Sequence, residues 1–380
     1  MGHGVCHTLQ AGHKELGVVE HREFYPIDSL ERPRIRPDEE SGKWRIRKLT
    51  PKECWRLMGF DDADFEKAEQ VVSKTQLYKQ AGNSIVVDVL ENIFRQLTDR
   101  AEHIGDLMLY EPKWYVIDRP IRLIELFAGI GSQAKRMKRL RLDYEAYRVC
   151  EWDKYCIRSY NAIHGTDFET SDITKLQGGD LGIVNTEDYC YVMTYSFPCQ
   201  DLSVAGKGAG MTKGTGTRSG LLWEVERLLN ETEHLPQVLV MENVPQVHNK
   251  KNIADFNKWQ EYLTTRGYRN YWQDLNAKNY GVPQNRDRCF MVSILGDYDY
   301  EFPKPFRLQL RLKDMLEERV DESYYLPDER LELIENWQNR QIEKGNGFRF
   351  EPTDGGGTAK PITTNSDRPA LTTYIKDDGV

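Results

Sequence analysis

From Ile121 onward, short apolar runs alternate with amphipathic segments, and this alternation restricts the possible folds more than any other feature. Runs of strand length lie at Arg122–Leu126, Tyr144–Cys150, Tyr189–Tyr195, Gln237–Met241 and Cys289–Leu295. Between them, Ser132–Leu140, Lys154–His164, Gly220–Asn230 and Ile253–Arg266 carry helical spacing. Strands that alternate with helices are best satisfied by a mostly parallel sheet covered by helices on both faces. The expected fold class is therefore α/β with a Rossmann-like sheet. After about Glu301 the alternation gives way to charged, Gly-rich and Thr-rich sequence such as Asp354-Gly355-Gly356-Gly357-Thr358.

Upstream of the sheet the chain has a different texture. Residues 1–44 are rich in Gly, Pro, His and charge, and read as loops and short strands. A helix is expected to start sharply at Thr50-Pro51-Lys52-Glu53, with Thr50 as N-cap, Pro51 in the first helical position and Glu53 closing a capping box. Cys54, Leu57 and Met58 give it an apolar side and Gly59 stops it. A second helix is expected from about Ile85 to Leu97 after the turn residues Gly82-Asn83-Ser84, and 100–120 reads as a connector.

At 380 residues, roughly two domains are expected. No apolar run approaches the roughly 18 residues of a membrane span. The start of the chain lacks the basic and apolar segments of a signal peptide, and Cys6 stands where a myristoylation signal has Ser or Thr. A cytoplasmic location with no membrane association is expected. Seven scattered cysteines without a C-x-x-C pair argue against a disulfide framework and a zinc ribbon, and no metal is expected. The net charge of −8 means that any claim of nucleic-acid binding must rest on local residues rather than on composition.

Four short pieces carry chemistry. The first, Phe127-Ala128-Gly129-Ile130-Gly131-Ser132, follows a strand and opens a helix, so backbone N–H groups and glycines can approach a ligand closely. Glu151 and Trp152 end the next strand, where an acidic residue can hold ribose hydroxyls. Asp172 and Ile173 end the following unit and could address an adenine edge. A nicotinamide dehydrogenase would need a third glycine, which Ser132-Gln133-Ala134 does not supply. The second piece, Phe197-Pro198-Cys199-Gln200, puts a thiol at the carboxyl end of the sheet, where open α/β folds bind ligands. It precedes a stretch with Gly206, Gly208, Gly210, Gly214, Gly216 and Gly220 that reads as a lid. The third is Met241-Glu242-Asn243-Val244-Pro245, beside it by sheet logic. The fourth is Gln284-Asn285-Arg286-Asp287-Arg288, just before a strand. Singly, each has an ordinary reading as a turn, a buried thiol, a helix cap or a solvated charge.

Together the pieces FAGIG, FPCQ, ENV and QNRDR resemble the ordered motifs of the cytosine-C5 DNA methyltransferase family. Arg47-Lys48-Leu49-Thr50-Pro51-Lys52-Glu53-Cys54 resembles a late motif of that family, and Gln80-Ala81-Gly82-Asn83-Ser84-Ile85 its final GNS motif. These two normally follow the target-recognition region, whereas here they precede FAGIG, so the chain resembles a circularly permuted member. The resemblance implies that 45–100 completes the catalytic domain at 121–295, that 101–120 is the connector, and that 1–44 and 296–380 build the smaller, irregular target-recognition region. Both termini would then lie in that region.

What the resemblance implies chemically is DNA (cytosine-5-)-methyltransferase activity with S-adenosylmethionine as methyl donor. Cys199 would attack C6 of a flipped-out cytosine, Glu242 would hold its N3 edge, and Arg288 and Arg286 would supply positive charge near the thiolate and the base. Phe127, Ala128, Gly129, Ile130, Gly131, Ser132, Glu151, Trp152, Asp172, Ile173, Pro198, Leu222, Asn83 and Ser84 would line the cofactor pocket. Lys207, Lys213 and Arg218 on the lid would meet phosphates. The implied partners are double-stranded DNA and a cognate restriction endonuclease of the same system, with the protein itself a monomer. An RNA cytosine methyltransferase and a catalytically silent DNA-binding relative remain alternatives at this point.

Overall fold

The computed structural model describes residues 45–98, 113–199, 202, 210–214, 217–345, 350–364 and 372–377. In chain order these form β1 (Arg45–Lys48), α1 (Pro51–Arg56), α2 (Asp62–Glu69), α3 (Lys74–Asn83), α4 (Val87–Thr98), β2 (Ile121–Leu126) and α5 (Ser132–Arg139). They continue as β3 (Tyr144–Cys150), α6 (Lys154–His164), β4 (Cys190–Tyr195), α7 (Leu222–Glu231), β5 (Val238–Asn243) and α8 (Ile253–Thr265). The rest are β6 (Tyr268–Asn276), β7 (Asp287–Leu295), α9 (Asp328–Glu343) and β8 (Tyr374–Asp377). Among the described residues the central sheet runs β3-β2-β4-β5-β7-β6, and β1 pairs separately with β8. Strands β3, β2, β4 and β5 are parallel, while β7 is antiparallel to both of its neighbours.

Strand residues alternate between the two faces, and the sheet consequently separates two cores. Leu123, Val192, Val238, Val240, Phe290 and Val292 face the core shared with α4, α5 and α6. Ile124, Leu126, Met193, Leu239, Met241 and Met291 face the core shared with α7 and α8. The expected α/β sheet with helices on both faces is thus observed. One strand the sequence did not reveal is β6, whose middle residues are partly or fully exposed, so the strand lacks a continuous apolar run.

The helix after Thr50 forms as expected. Thr50 Oγ accepts from Glu53 N–H (3.1 Å), and Glu53 Oε2 accepts from Thr50 N–H (2.8 Å). Gly82-Asn83-Ser84 is not a free turn. Gly82 and Asn83 close α3, a helix absent from the sequence reading, and Ser84 caps it. A side chain at position 82 would strike the backbone of Thr363, at 2.5 Å from its carbonyl carbon. Segments within 296–380 also enter the main core through Leu312, Met315, Ala359, Ile362 and Ile375. The expectations for residues 1–44, the chain termini, most of the 101–120 connector and, within the lid read at 200–220, residues 200, 201, 203–209, 215 and 216 lie outside the described residues.

Candidate active site

Parallel strands deliver their carboxyl ends to one edge of the sheet, and the sequence-predicted pieces meet there. A cavity of about 590 Å³ is lined by Gly129, Glu151, Trp152, Asp172, Cys199, Glu242, Arg286 and Arg288 among others. Phe127, Ala128, Ile130, Ser132, Ile173, Pro198, Asn83 and Ser84 line it too. Two expected residues do not. Leu222 is fully buried among the residues of the second core, and its neighbour Leu221 lines the cavity instead. Gly131 faces away, since a Cβ there would sit 2.3 Å from His164 Nε2 and 2.6 Å from the Tyr160 ring.

The two glycines of the first loop therefore have different tasks. Gly131, at φ +79°, lets the start of α5 pack closely against α6. Gly129, at φ +59°, has no atom within 4 Å of where a Cβ would stand, so its open side is free for a ligand. Phe127 also adopts a positive φ of +59°, a costly conformation for a side-chain-bearing residue that a rigid surrounding must enforce. Glu151 fixes the loop from the next strand. Its Oε2 accepts from Gly129 N–H (2.9 Å) and its Oε1 from Asp153 N–H (2.8 Å). Each oxygen has lone-pair capacity left for a ligand hydroxyl. Trp152 beside it is 74% exposed and offers a bare aromatic face. Asp172 caps the 3₁₀ turn Ile173–Lys175 through one carboxylate oxygen, which accepts from Thr174 N–H (3.0 Å) and Thr174 Oγ (2.8 Å).

Cys199 lies in the loop leaving β4 and is partly exposed. Two bonds hold that loop. Asn243 at the end of β5 donates to the Phe197 carbonyl (2.9 Å), and Ser219 Oγ donates to the Pro198 carbonyl (2.7 Å). Glu242 is nearly buried and receives Arg288 Nε at 2.9 Å. Arg286 is committed to the backbone, donating to the carbonyls of Ile362 (2.8 Å), Gly82 (3.0 Å) and Ser84 (2.9 Å). It therefore ties α3 and the 362 segment to the base of the site, a role its position before a strand did not disclose.

Burial holds the Cys199 thiol above its ordinary range; the Glu242 carboxylate adds to the rise, and Arg288 and Arg286 oppose it. The expected help from nearby positive charge is present but outweighed. Burial likewise raises the Glu242 carboxyl, with Arg288 and Arg286 opposing. Of the lid cations, Lys213 pairs with Glu226 (2.8 Å), Arg218 lines the cavity, and Lys207 lies outside the described residues. No described helix is long and apolar enough to cross a membrane.

The family described as C-5 cytosine-specific DNA methylase matches the chain over residues 14–99 and 121–375. The Type II methyltransferase M2.ScrFI of Lactococcus lactis subsp. cremoris is 35% identical over 255 residues, 54% of this chain and 70% of that protein. The orphan methyltransferase M.SssI of Spiroplasma monobiae is 34% identical over 258 residues, 54% of this chain and 67% of its own length. Among solved structures, S. pombe Dnmt2 methyltransferase aligns over 68% of this chain and 75% of its own, with a TM-score of 0.48 and 18% identity.

Proposed function

The chain belongs to the C-5 cytosine-specific DNA methylase family, and from that premise we propose that it methylates C5 of a flipped-out cytosine in duplex DNA through a covalent adduct of Cys199. The observation that carries this reading is one cavity holding Cys199, Glu242 and Arg288 beside the Gly129 loop. S-adenosylmethionine, when bound, supplies an electrophilic methyl group on a sulfonium. The residues present suit it: Glu151 for the ribose hydroxyls, Trp152 for the adenine face, Asp172 for the adenine edge and Gly129 for close backbone approach.

Cytosine C5 is a weak nucleophile until an electron pair is added to the ring. The Cys199 thiolate forms a bond to C6, and the displaced ring electrons reach the N3 side of the base. There the Glu242 carboxyl, kept protonated more readily by its burial, donates to N3. Arg288 Nε holds that carboxyl in place, and the remaining guanidinium donors suit the base O2. N3 then gives its proton back to Glu242 as electron density returns to C5, which takes the methyl group. Loss of the C5 proton to water and cleavage of the S–C6 bond restore the aromatic ring and the thiolate. Nucleophilic catalysis of this kind splits one difficult step into easier ones. A base inside a duplex cannot present C6 to a thiol, so the cytosine must leave the stack. Arg286 acts as a positioning residue through its carbonyl bonds.

Circular permutation of the chain belongs to the same proposal. Helices α1–α4 precede β2 in sequence, yet α4 packs on α5 and α2 on α6, and Asn83 and Ser84 join the cavity wall beside the Gly129 loop. Cys199→Ala tests the chemistry. Methyl incorporation into DNA is expected to fall to background while S-adenosylmethionine binding, followed by calorimetry, persists; full activity in that variant refutes the mechanism.

A further inference from the structure

Beside the strand end that carries Glu242, three side chains unused by the chemistry above come together. His248 closes the 3₁₀ turn Pro245–His248 that follows β5, Asp274 lies on β6 and Cys289 on β7. The register sets Asp274 directly across from Cys289, and Cys289 across from Asn243. An imidazole nitrogen, a carboxylate oxygen and the Cys289 sulfur all lie within 4.8 Å of one another. His248 Nε2 stands 3.0 Å from both Asp274 oxygens.

The Asp274 carboxylate takes both the His248 imidazole and the Cys289 thiol as neighbours, so three ligand-type atoms converge on one point. A tetrahedral Zn²⁺ with bonds of about 2.0–2.3 Å holds its nitrogen, oxygen and sulfur ligands about 3.3–3.6 Å apart. The separations in the cluster, 3.0 Å at His248–Asp274 and none above 4.8 Å, lie on either side of those values. Burial also suits an ion. Cys289 is fully buried, while the His248 and Asp274 side chains are 23% and 38% exposed, so one side of the cluster opens to solvent. The Trp272 ring lies over the imidazole (centroids 4.8 Å apart, planes at 35°) and limits its rotation.

We propose that His248, Asp274 and Cys289 form a binding site for one borderline divalent cation of the Zn²⁺ type, with a fourth position open to water. One nitrogen, one sulfur and a single carboxylate disfavour Mg²⁺ and Ca²⁺, which take oxygen ligands. The bound ion joins the turn after β5 to β6 and β7. Asn243, in that turn's approach, holds the Phe197 carbonyl, so occupancy stiffens the segments that carry Glu242 and Cys199.

The test is independent of methyl transfer. The full chain is dialysed against Zn²⁺ and its metal counted by plasma mass spectrometry, and a parallel sample is titrated with Co²⁺ to read the thiolate-to-cobalt charge-transfer band. One equivalent of zinc and a saturating band are expected, unaffected by excess Mg²⁺. Both should be lost in Cys289→Ser and His248→Gln and kept in Cys199→Ser. His248 is partly exposed, so its variant decides the matter if Cys289→Ser fails to fold. No retained zinc, a site that survives His248→Gln, or one that vanishes with Cys199→Ser overturns the proposal.

Discussion

The reactivity of Cys199 is set by a contest between neighbours. Burial and Glu242 raise its thiol, whereas Arg288 and Arg286 lower it. Only the thiolate attacks, so its alkylation rate should climb with pH above neutrality. Glu242→Gln removes a negative neighbour and should move the alkylation profile to lower pH. Arg288→Ala removes a positive one and should move it higher. Iodoacetamide labelling of Cys199, followed by mass spectrometry across pH, checks both directions; an unmoved profile in either variant contradicts this electrostatic account. Cys199, Glu242 and Arg288 were legible because each sits in a short piece at a strand end. The carbonyl-binding task of Arg286 was not legible, since Gly82, Ser84 and Ile362 are remote in sequence. Nor was the His248, Asp274 and Cys289 cluster, which only the β6–β7 register assembles.

At the scale of elements, the segment resembling the family's late motif is a structural joint. Arg47 and Glu53 are both buried and face each other through two bonds of 2.9 Å. Glu53 also accepts the backbone N–H groups of Thr50 and Glu317 (2.8 and 2.9 Å). One carboxylate thus starts α1, neutralises a buried arginine and anchors the 317 segment. Removing one partner of such a pair leaves a buried charge uncompensated, at about 3–5 kcal/mol. Glu53→Ala should therefore lower unfolding stability by roughly that amount in a urea titration, and a loss within error contradicts the joint. The N-cap and capping box were readable, because they obey local rules. The long-range half of the joint was not. Helices α5 to α8 were readable from apolar spacing between strands. Helix α9 was not: among its residues only Ile334 is buried, while Leu333 and Ile342 are exposed, so it lacks a core-facing stripe.

For the whole molecule, the two cores on opposite faces of one sheet explain why residues far apart in sequence build a single site. The antiparallel pairing of β1 with β8 sets Arg45 opposite Asp377, so the two flanks of the described chain meet in space. The proposed permutation predicts that residue 380 can be joined to residue 1 by a long, flexible Gly/Ser linker and the chain reopened within 99–112. That rearranged protein should fold and methylate DNA, as measured by tritiated methyl transfer; an insoluble or inactive product contradicts the topology. The α/β layering was legible from the alternation of strands and helices, whereas the strand order and the way the described parts of 296–364 thread into the main core have no periodic signature. The central claim remains the bond between the Cys199 sulfur and cytosine C6. A duplex carrying 5-fluorocytosine at the methylated position tests it most directly, because fluorine cannot leave as a proton does and the final elimination stalls. With cofactor present, the account predicts a denaturant-stable protein–DNA adduct whose DNA-bearing peptide contains Cys199. An enzyme that methylates ordinary cytosine yet leaves no adduct on the fluorinated duplex would contradict it.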